Sequence, residues 1–247
     1  MTPRRYPFAA PGAALCLALL VAAPSLAQTP SVDELVAKNL AARGGAEKLQ
    51  ALNTMKIVGD VSFSGMDMPM TLLTKRPNKM RQELTMQGQA MVQAFDGTTV
   101  WVSNPMLGPG AQPIEGPQAD ALKTQALFDG PLVGYKERGD TLEVVGQAEV
   151  EGAKAWKLKL SRKDGRSMHI LLDAETGLER QWSMTMEQNG LTMELDTIIG
   201  DYQPVDGIQV ARSMKTLMGG NPMGTVKITS VEHNVPIEDS VFVMPAK

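Results

Sequence analysis

Few side chains in this sequence are of the types that perform chemistry. The 247 residues include two histidines, His169 and His233, and one cysteine, Cys16. Two histidines are too few for most His-based zinc sites. The sequence has no GxSxG, HExxH or CxxC motif and no phosphate-binding glycine loop. It therefore predicts no catalytic residue, no metal site and no cofactor, and we expect a protein that is not an enzyme.

One group of side chains has the spacing to bind a soft metal ion. Met66, Met68 and Met70 occupy alternate positions, so in a strand their thioethers point to one side. Such an array suits Cu(I), and a methionine-rich copper-binding periplasmic protein is one alternative. The same alternation continues as Leu72, however, whereas a metal site usually interrupts an apolar face. The pattern favours an ordinary apolar strand face.

The first 27 residues have the composition of a secretory signal peptide. Arg4 and Arg5 precede an apolar run from Ala13 to Ala23, and Ser25-Leu26-Ala27 supplies a cleavage site of small residues. The run is too short for a membrane span. We therefore predict a signal peptide over 1–27 and a single domain over 28–247.

The charge of the predicted mature chain excludes one class of partner. The leader holds two arginines and no acidic residue, so residues 28–247 keep 22 basic and 27 acidic side chains, a net charge of −5. This slightly acidic balance, without any run of lysines or arginines, argues against a nucleic-acid partner. The mature chain cannot form a disulfide, because Cys16 lies in the leader.

The positions of the apolar residues predict an opening helix followed by a large antiparallel sheet. Ser31 is a suitable N-cap for a helix whose apolar residues recur at helical spacing. From Thr54 onward the period changes to two, and hairpin turns such as Ser64-Gly65 separate the segments. An irregular loop is predicted over 104–117 and a helix over 118–128. The remaining segments predict about a dozen strands, with one dry and one wet sheet face.

This predicted sheet is larger than its helical cover. Twelve strands at ~4.8 Å spacing measure roughly 55 Å across, whereas a helix covers a strip about 10 Å wide. Either the sheet closes into a filled barrel, or an apolar cavity remains under the helices. The 17 methionines suit a surface that accepts apolar partners of different shapes, and equally an ordinary core.

An ordered series of short motifs is more specific. Lys75-Arg76-Pro77-Asn78 is followed by Asp96-Gly97-Thr98-Thr99-Val100-Trp101, by Asn104-Pro105 and, near the end, by Asp239-Ser240-Val241-Phe242. Together with the leader and the opening helix, this series resembles the LolA-like periplasmic carriers of outer-membrane lipoproteins. The resemblance covers residues 72–105 closely and the rest of the mature chain loosely.

The resemblance implies a mainly β (α+β) fold, an unclosed antiparallel β-barrel of about 11–12 strands with a helical lid over a hydrophobic cavity. It also implies a periplasmic carrier that binds the acyl chains of lipoproteins or lipids and moves them toward the outer membrane. An inner-membrane donor, an outer-membrane acceptor and a monomeric state are expected with it. A lipid-sensing or envelope-stress binding module of the same fold is the alternative.

The resemblance and the alternation together predict the site residues. In the family, the arginine of K-R-P-N faces the cavity and bonds to lid backbone, which holds the empty state closed. The matching residue here is Arg76, and counting by twos from Met66 places it on the apolar face. The predicted lipid-binding residues are Met55, Ile57, Phe63, Met66, Met68, Met70, Leu72, Met80, Leu84, Met86, Trp156, Trp182, Met184, Met193 and Met214.

Overall fold

The computed structural model describes Met1 and residues 29–106, 108–188 and 191–246. Apart from Met1, the predicted signal peptide over 1–27 lies outside this part of the chain. The described elements, in chain order, are α1 (Val32–Ala42), α2 (Ala46–Ala51), β1 (Thr54–Phe63), β2 (Met66–Lys75), β3 (Lys79–Met86), β4 (Gln89–Phe95), β5 (Val100–Ser103), β6 (Ala111–Pro113), α3 (Pro117–Gln125), β7 (Thr141–Val150), β8 (Ala153–Ser161), β9 (Ser167–Asp173), β10 (Glu179–Gln188), β11 (Leu191–Val205), β12 (Ile208–Met218), β13 (Asn221–His233) and a 3-10 turn (Asp239–Val241).

All thirteen of these strands form one antiparallel sheet, in the order β6-β5-β4-β3-β2-β1-β13-β12-β11-β10-β9-β8-β7. Each strand pairs with a neighbour in the chain except where β1 meets β13, with Met55 opposite His233. This pairing joins the two halves of the chain at the middle of the sheet. Within the described residues β6 and β7 remain as edges, so the sheet is an unclosed barrel. The predicted fold class is confirmed, with one or two strands more than expected.

The additional strand lies in the segment predicted as an irregular loop. β6 contains three residues and pairs with β5, with Trp101 opposite Pro113. Three residues are too few to show an alternation in the sequence. The helix predicted over 118–128 also differs, since α3 begins at Pro117 and ends at Gln125. Proline suits the first turn of a helix, where its missing N–H would have no partner.

The first helix begins where the sequence predicts. The Ser31 hydroxyl accepts a hydrogen bond from the backbone N–H of Glu34, and the Glu34 carboxylate accepts one from the backbone N–H of Ser31. This reciprocal pair satisfies two donors that the first helical turn leaves free. Leu35, one turn further, is buried and packs against the sheet.

Three hydrophobic clusters join the sheet to a helical lid, which we define as α1, α2, α3 and the connecting segment 126–135. The sheet face beneath the lid is called the cavity face, and the opposite side the outer face. The buried residues are Leu35, Leu132, Tyr135, Leu158, Leu160, Met168, Ile170 and Leu172 under α1; Leu49, Leu52, Phe128 and Ile208 under α2; and Met80, Phe95, Val100, Ala119, Leu122 and Ala126 under α3.

The lid also spans the gap between the two sheet edges. Arg162, in the turn between β8 and β9, donates a hydrogen bond to the hydroxyl of Thr124 on α3. Arg166 of the same turn lies 4.0 Å from the Asp120 carboxylate of α3. α3 packs on β4 and β5 near one edge, so these contacts connect it to the strands near the other edge.

The end of the chain packs on the outer face. Phe242 is fully buried there, and its carbonyl accepts a 2.7 Å hydrogen bond from the indole Nε1 of Trp101. Lys75 and Lys79 lie 2.9 and 3.0 Å from the Asp239 carboxylate. The Asp-Ser-Val-Phe motif therefore holds strands β2, β3 and β5 from outside.

No helix in the described part of the chain is long and apolar enough to cross a membrane.

Candidate functional site

The strand register places all fifteen predicted lipid-binding residues on the cavity face. Ile57 pairs with Leu72, for example, and Leu72 packs beneath α3. At the centre of the sheet, Met214 pairs with Val226, which pairs with Val61, which pairs with Met68. Because side chains alternate along a strand between bulges, each such set of paired residues shows which face the alternate residues beside it occupy. Whether these residues bind lipid remains a prediction.

The lid covers one part of the cavity face. Met80 is buried among the residues under α3, and Met55 packs against those under α2. Trp156 and Trp182 pack against the cluster under α1. These predicted lining residues thus contribute to a packed interior between the lid and the sheet.

The cavity face continues beyond the lid toward the hairpin turns between β1 and β2 and between β10 and β11. Phe63, Met66 and Met184 expose 43%, 46% and 37% of their surface, although all three are large and apolar. Met193 and Met214 are half-buried. None of these five belongs to the lid clusters formed by the described residues. An apolar surface rich in methionine is therefore open to solvent at this end.

Arg76 lies directly after β2 and reaches the lid from the cavity face. Its Nη2 donates a 2.9 Å hydrogen bond to the Leu49 carbonyl, and its Nε donates to the Leu52 carbonyl at 2.5 Å. Both carbonyls lie at the end of α2, where the Leu49 carbonyl also accepts a 3.3 Å hydrogen bond from the backbone N–H of Leu52. The guanidinium carbon also lies 4.6 Å from the ring centre of Phe128. Arg76 thus contacts lid backbone, as the resemblance implies, while its role as a lid latch is untested.

Asp129 completes the surroundings of Arg76 and was not predicted from the sequence. Its carboxylate accepts hydrogen bonds from both terminal nitrogens of Arg76, at 2.5 and 2.6 Å. The Asp129 carbonyl accepts a further 2.9 Å hydrogen bond from Arg43, which ends α1. No local pattern could identify Asp129, because its partners stand 53 and 86 residues away.

Another carboxylate near the end of α1 belongs to Glu179, which is buried, whereas Asp129 is half-buried. The Oε2 of Glu179 accepts a 3.1 Å hydrogen bond from the indole of Trp182, and its backbone carbonyl accepts one from the Tyr202 hydroxyl at 2.9 Å. Burial raises the pKa of Glu179, while the positive charge of Arg43 and the indole bond oppose this change. Sequence analysis did not predict an acidic residue on this face.

The described residues contain no group of three or more histidine, cysteine or acidic side chains that could hold a metal ion. His169 pairs with Ser183 and lies on the outer face, as its alternation predicts. The three methionines of the copper alternative differ in solvent exposure, since Met68 and Met70 are buried and Met66 is exposed. The Met70 sulfur already accepts a 3.2 Å hydrogen bond from Gln82.

Comparison with known proteins identifies the fold. The sequence matches no protein-family model and no curated protein. Among solved structures, it is similar to a DUF1329 family protein of Desulfovibrio piger, with a TM-score of 0.59 and 11% identity over 87% of this chain and 98% of that one. It is equally similar to a LolA superfamily protein of Nitrosomonas europaea, with a TM-score of 0.58, 11% identity and the same coverage.

A third structure, described as an outer membrane lipoprotein-sorting protein domain of Vibrio parahaemolyticus, has a TM-score of 0.55 and 12% identity over 84% of this chain and 97% of that one. These matches extend over nearly the full length of each solved chain. At such low identities they concern the fold alone, so this chain has the fold of LolA-superfamily proteins.

Proposed function

We propose that this protein is a periplasmic, non-enzymatic carrier that binds the acyl chains of lipoproteins or lipids on its cavity face and moves them toward the outer membrane. The observation that carries the proposal is the apolar surface that continues past the edge of the lid. The LolA-superfamily fold and the contacts of Arg76 support it independently.

The exposed part of the cavity face has the chemistry of an acyl-chain site. Each CH₂ group that moves from water to an apolar surface gains about 0.8 kcal/mol. Methionine side chains are flexible and polarizable, so they can adapt to chains of different shape. Phe63, Met66 and Met184 would lose water from large apolar surfaces when an acyl chain binds, and this burial of apolar surface favours binding.

Arg76 supplies a means to close the lid when the site is empty. One side chain bonds the end of α2 and the segment after α3, so displacement of that side chain would release both. A chain that enters beneath the lid would meet Arg76 last, because Arg76 lies at the opposite end of β2 from Met66. We assign Arg76 the role of lid latch on this basis.

The remaining parts of the proposal follow from the predicted leader and the fold. A cleavable signal peptide would deliver the chain to the periplasm. A carrier there needs an inner-membrane donor and an outer-membrane acceptor for its cargo. We propose that the protein performs this work as a monomer.

The first experiment measures binding of a neutral apolar dye, N-phenyl-1-naphthylamine, to the protein without its leader. We expect saturable binding that Met184→Glu weakens about tenfold or more, since a charge placed on an apolar site must be desolvated. Val145→Glu is the matched control, because Val145 is 52% exposed at an irregular position of β7. Absence of dye binding, or equal weakening by both variants, would contradict the proposal.

Native mass spectrometry of the protein isolated from an envelope fraction would identify the cargo. A stoichiometric bound lipid or acylated protein is expected.

Transfer of that cargo to acceptor membranes distinguishes a carrier from the alternative sensing module, which would bind without transfer. A Cu(I) titration with no saturable binding below micromolar concentrations would remove the copper alternative.

A further inference from the structure

Arg212 differs from the other arginines of the described chain. Seven of the eight described arginines have hydrogen bonds or ion pairs with named partners; they are Arg43, Arg76, Arg81, Arg138, Arg162, Arg166 and Arg180. Arg212 is the eighth, and its Nε and Nη1 atoms are buried without a hydrogen-bond partner. These two atoms carry donors of a permanently charged group.

The register places Arg212 on the cavity face. Ile208 is buried under α2, Val210 packs against the same cluster, and Met214 pairs with Val226 on the cavity face. Arg212 lies between Val210 and Met214 at the same phase of β12. The pairing of β12 with β11 keeps one register on both sides of Arg212, and Asp201, which lies opposite it, has a positive φ of 52°. Arg212 therefore stands where the part of the cavity face beneath the lid meets the part that is open.

Arg212 is half-buried, and two of its three guanidinium nitrogens are buried without a partner. This arrangement is unfavourable, because the protein does not replace the hydrogen bonds that water would make to these two atoms. Arg76, on the same face, shows what a satisfied arginine requires, with two carbonyls and a carboxylate around it. Asp201 lies opposite Arg212 in the register, but it is exposed and accepts a hydrogen bond from Gln203. Among the described residues no ion pair within 4.0 Å includes Arg212. An anion from outside the chain would supply what is missing.

From this placement we infer that Arg212 binds the anionic headgroup of the cargo, a carboxylate or a phosphate, so that the carried molecule is an anionic amphiphile. This inference rests on the proposed carrier function and specifies its substrate class. The guanidinium has the planar geometry that pairs with carboxylate and phosphate oxygens in two parallel hydrogen bonds.

The surroundings of Arg212 fit the rest of such a molecule. The next row toward the open end consists of Met214, Val226, Val61 and Met68, all apolar. One pleat further lies Phe63, at the exposed end of β1. Strands rise ~3.3 Å per residue, so an apolar path of about 13 Å leads from Arg212 to this end. An acyl chain attached to the bound headgroup would lie along this path.

Among the described residues, two more polar atoms on the cavity face lack partners. The Thr74 hydroxyl and the Nε2 of His233 are buried and unpaired, and both residues stand opposite Met55 on neighbouring strands. The remaining atom of this kind belongs to Asn39 of α1. In the described part of the sheet, the buried polar side-chain atoms without partners thus lie on the cavity face, where the polar part of an amphiphile would meet them.

The test compares three ligands with the same twelve-carbon chain, dodecanoate, dodecyl phosphate and dodecanol, as displacers of N-phenyl-1-naphthylamine. For the unmodified protein we expect the two anions to bind at least about tenfold more tightly than the alcohol, because they form hydrogen bonds to a charged group. Equal affinity for the alcohol and the anions would overturn the inference. Inorganic phosphate is the fourth competitor, and dye displacement by phosphate alone at comparable concentration would also overturn it, in favour of a free-anion site.

Variants then test whether Arg212 is responsible for the tighter binding of anions. Arg212→Met replaces the charge with a side chain common on this face, and we expect it to remove the preference for anions while dodecanol binding stays unchanged. Lys215→Met is the matched control, since Lys215 lies on the outer face of the same strand and should retain the preference. Retention of the preference in Arg212→Met would contradict the inference. Arg212→Lys, which keeps the charge, should retain part of it.

The outcome also separates this inference from the proposed function. If the neutral dye binds but the anions have no advantage, the carrier proposal stands and the role of Arg212 falls. If neither the dye nor any twelve-carbon ligand binds, the carrier proposal itself falls.

Discussion

Arg76 and Asp129 form a bidentate ion pair, in which Nη1 of Arg76 lies 2.5 Å from Oδ2 of Asp129 and Nη2 lies 2.6 Å from Oδ1. Asp129 lies in the segment that follows α3, whereas Arg76 follows β2 and also bonds the carbonyls that end α2. One side chain therefore connects the sheet to two parts of the lid. A single substitution of Arg76 would therefore affect both parts of the lid at once.

Replacing Arg76 with methionine should loosen the lid selectively. The variant leaves the Asp129 carboxylate and the Leu52 carbonyl without their partner and removes one of two donors to the Leu49 carbonyl, so we expect the free energy of unfolding to fall by about 2 kcal/mol. Amide hydrogen exchange should rise in α2 and in residues 127–131 more than in the sheet. Exchange measured by mass spectrometry, together with urea unfolding, checks both expectations.

Arg81→Met is the control for this experiment. Arg81 is as exposed as Arg76, at 24% against 26% of the side chain, but it bonds Glu83 and the Val241 carbonyl on the outer face. Its replacement should leave exchange in α2 unchanged. Equal protection of α2 in Arg76→Met and in the unmodified protein would exclude the latch.

Truncation of Phe242 should destabilise the whole sheet. Phe242 is fully buried on the outer face, where its backbone carbonyl receives the Trp101 indole. Deletion of a buried aromatic ring leaves a cavity, so Phe242→Ala should lower the free energy of unfolding by about 3 kcal/mol. Val243→Ala, at a residue 52% exposed, should change it by less than about 0.5 kcal/mol. Denaturant unfolding followed by tryptophan fluorescence measures both, and similar losses in the two variants would contradict this account.

Asp173 should make the stability depend on acid pH. Burial works to raise the pKa of its carboxylate, but hydrogen bonds from the backbone of Thr176 and from Arg180 outweigh burial and lower the pKa to about 2. An unfolded aspartate has a pKa of about 3.9. The resulting stabilisation, about 2 kcal/mol, is therefore complete above pH ~4 and is lost as the pH falls toward 2.

The variant Asp173→Asn should remove this dependence and lower stability at pH 7. Asp164→Asn is the comparison, because the pKa of Asp164 is also lowered to about 2 but its side chain is 43% exposed, where solvent screens the charge. Urea unfolding at several pH values between 2 and 7 measures the difference. If Asp173→Asn keeps the full acid dependence of the unmodified protein, the assignment is wrong.

Glu179 should have the opposite effect on stability. Burial raises its pKa above that of an unfolded glutamate, so its contribution is favourable below the unfolded pKa and is lost as the pH rises through the raised pKa of the folded state. Glu179→Gln removes the charge while its amide oxygen can still accept from the Trp182 indole. We expect this variant to unfold at a higher urea concentration than the unmodified protein at pH 8, and equally at pH 4. A lower midpoint at pH 8 would show that the carboxylate charge is needed.

Much of the sheet could be predicted from local patterns. The alternation from Met66 through Leu72 identified one face, and the register confirms that Met68 pairs with Val61 there. The Ser31 cap and the Ser64-Gly65 hairpin were also visible, because each depends on neighbours within a few residues. The three-residue β6 was missed because it is too short to alternate.

The candidate site could be predicted only in part. Arg76 was found through its motif and its phase along β2, since both are properties of the local sequence. Its partner Asp129 and the buried Glu179 were missed, because neither lies in a pattern that marks its burial. Arg212 was overlooked for the same reason, since an arginine within a strand is ordinarily a solvated residue.

The sequence by itself determined which side of each strand is apolar, because a period of two assigns every side chain to a face once one is known. Only the tertiary structure decided how far the lid covers that face, which strands meet at β1 and β13, and which charges find partners. Those outcomes depend on contacts between residues far apart in the chain. The Arg76–Asp129 pair and the unpaired Arg212 lie on the same face, and only the packing of the lid distinguishes them.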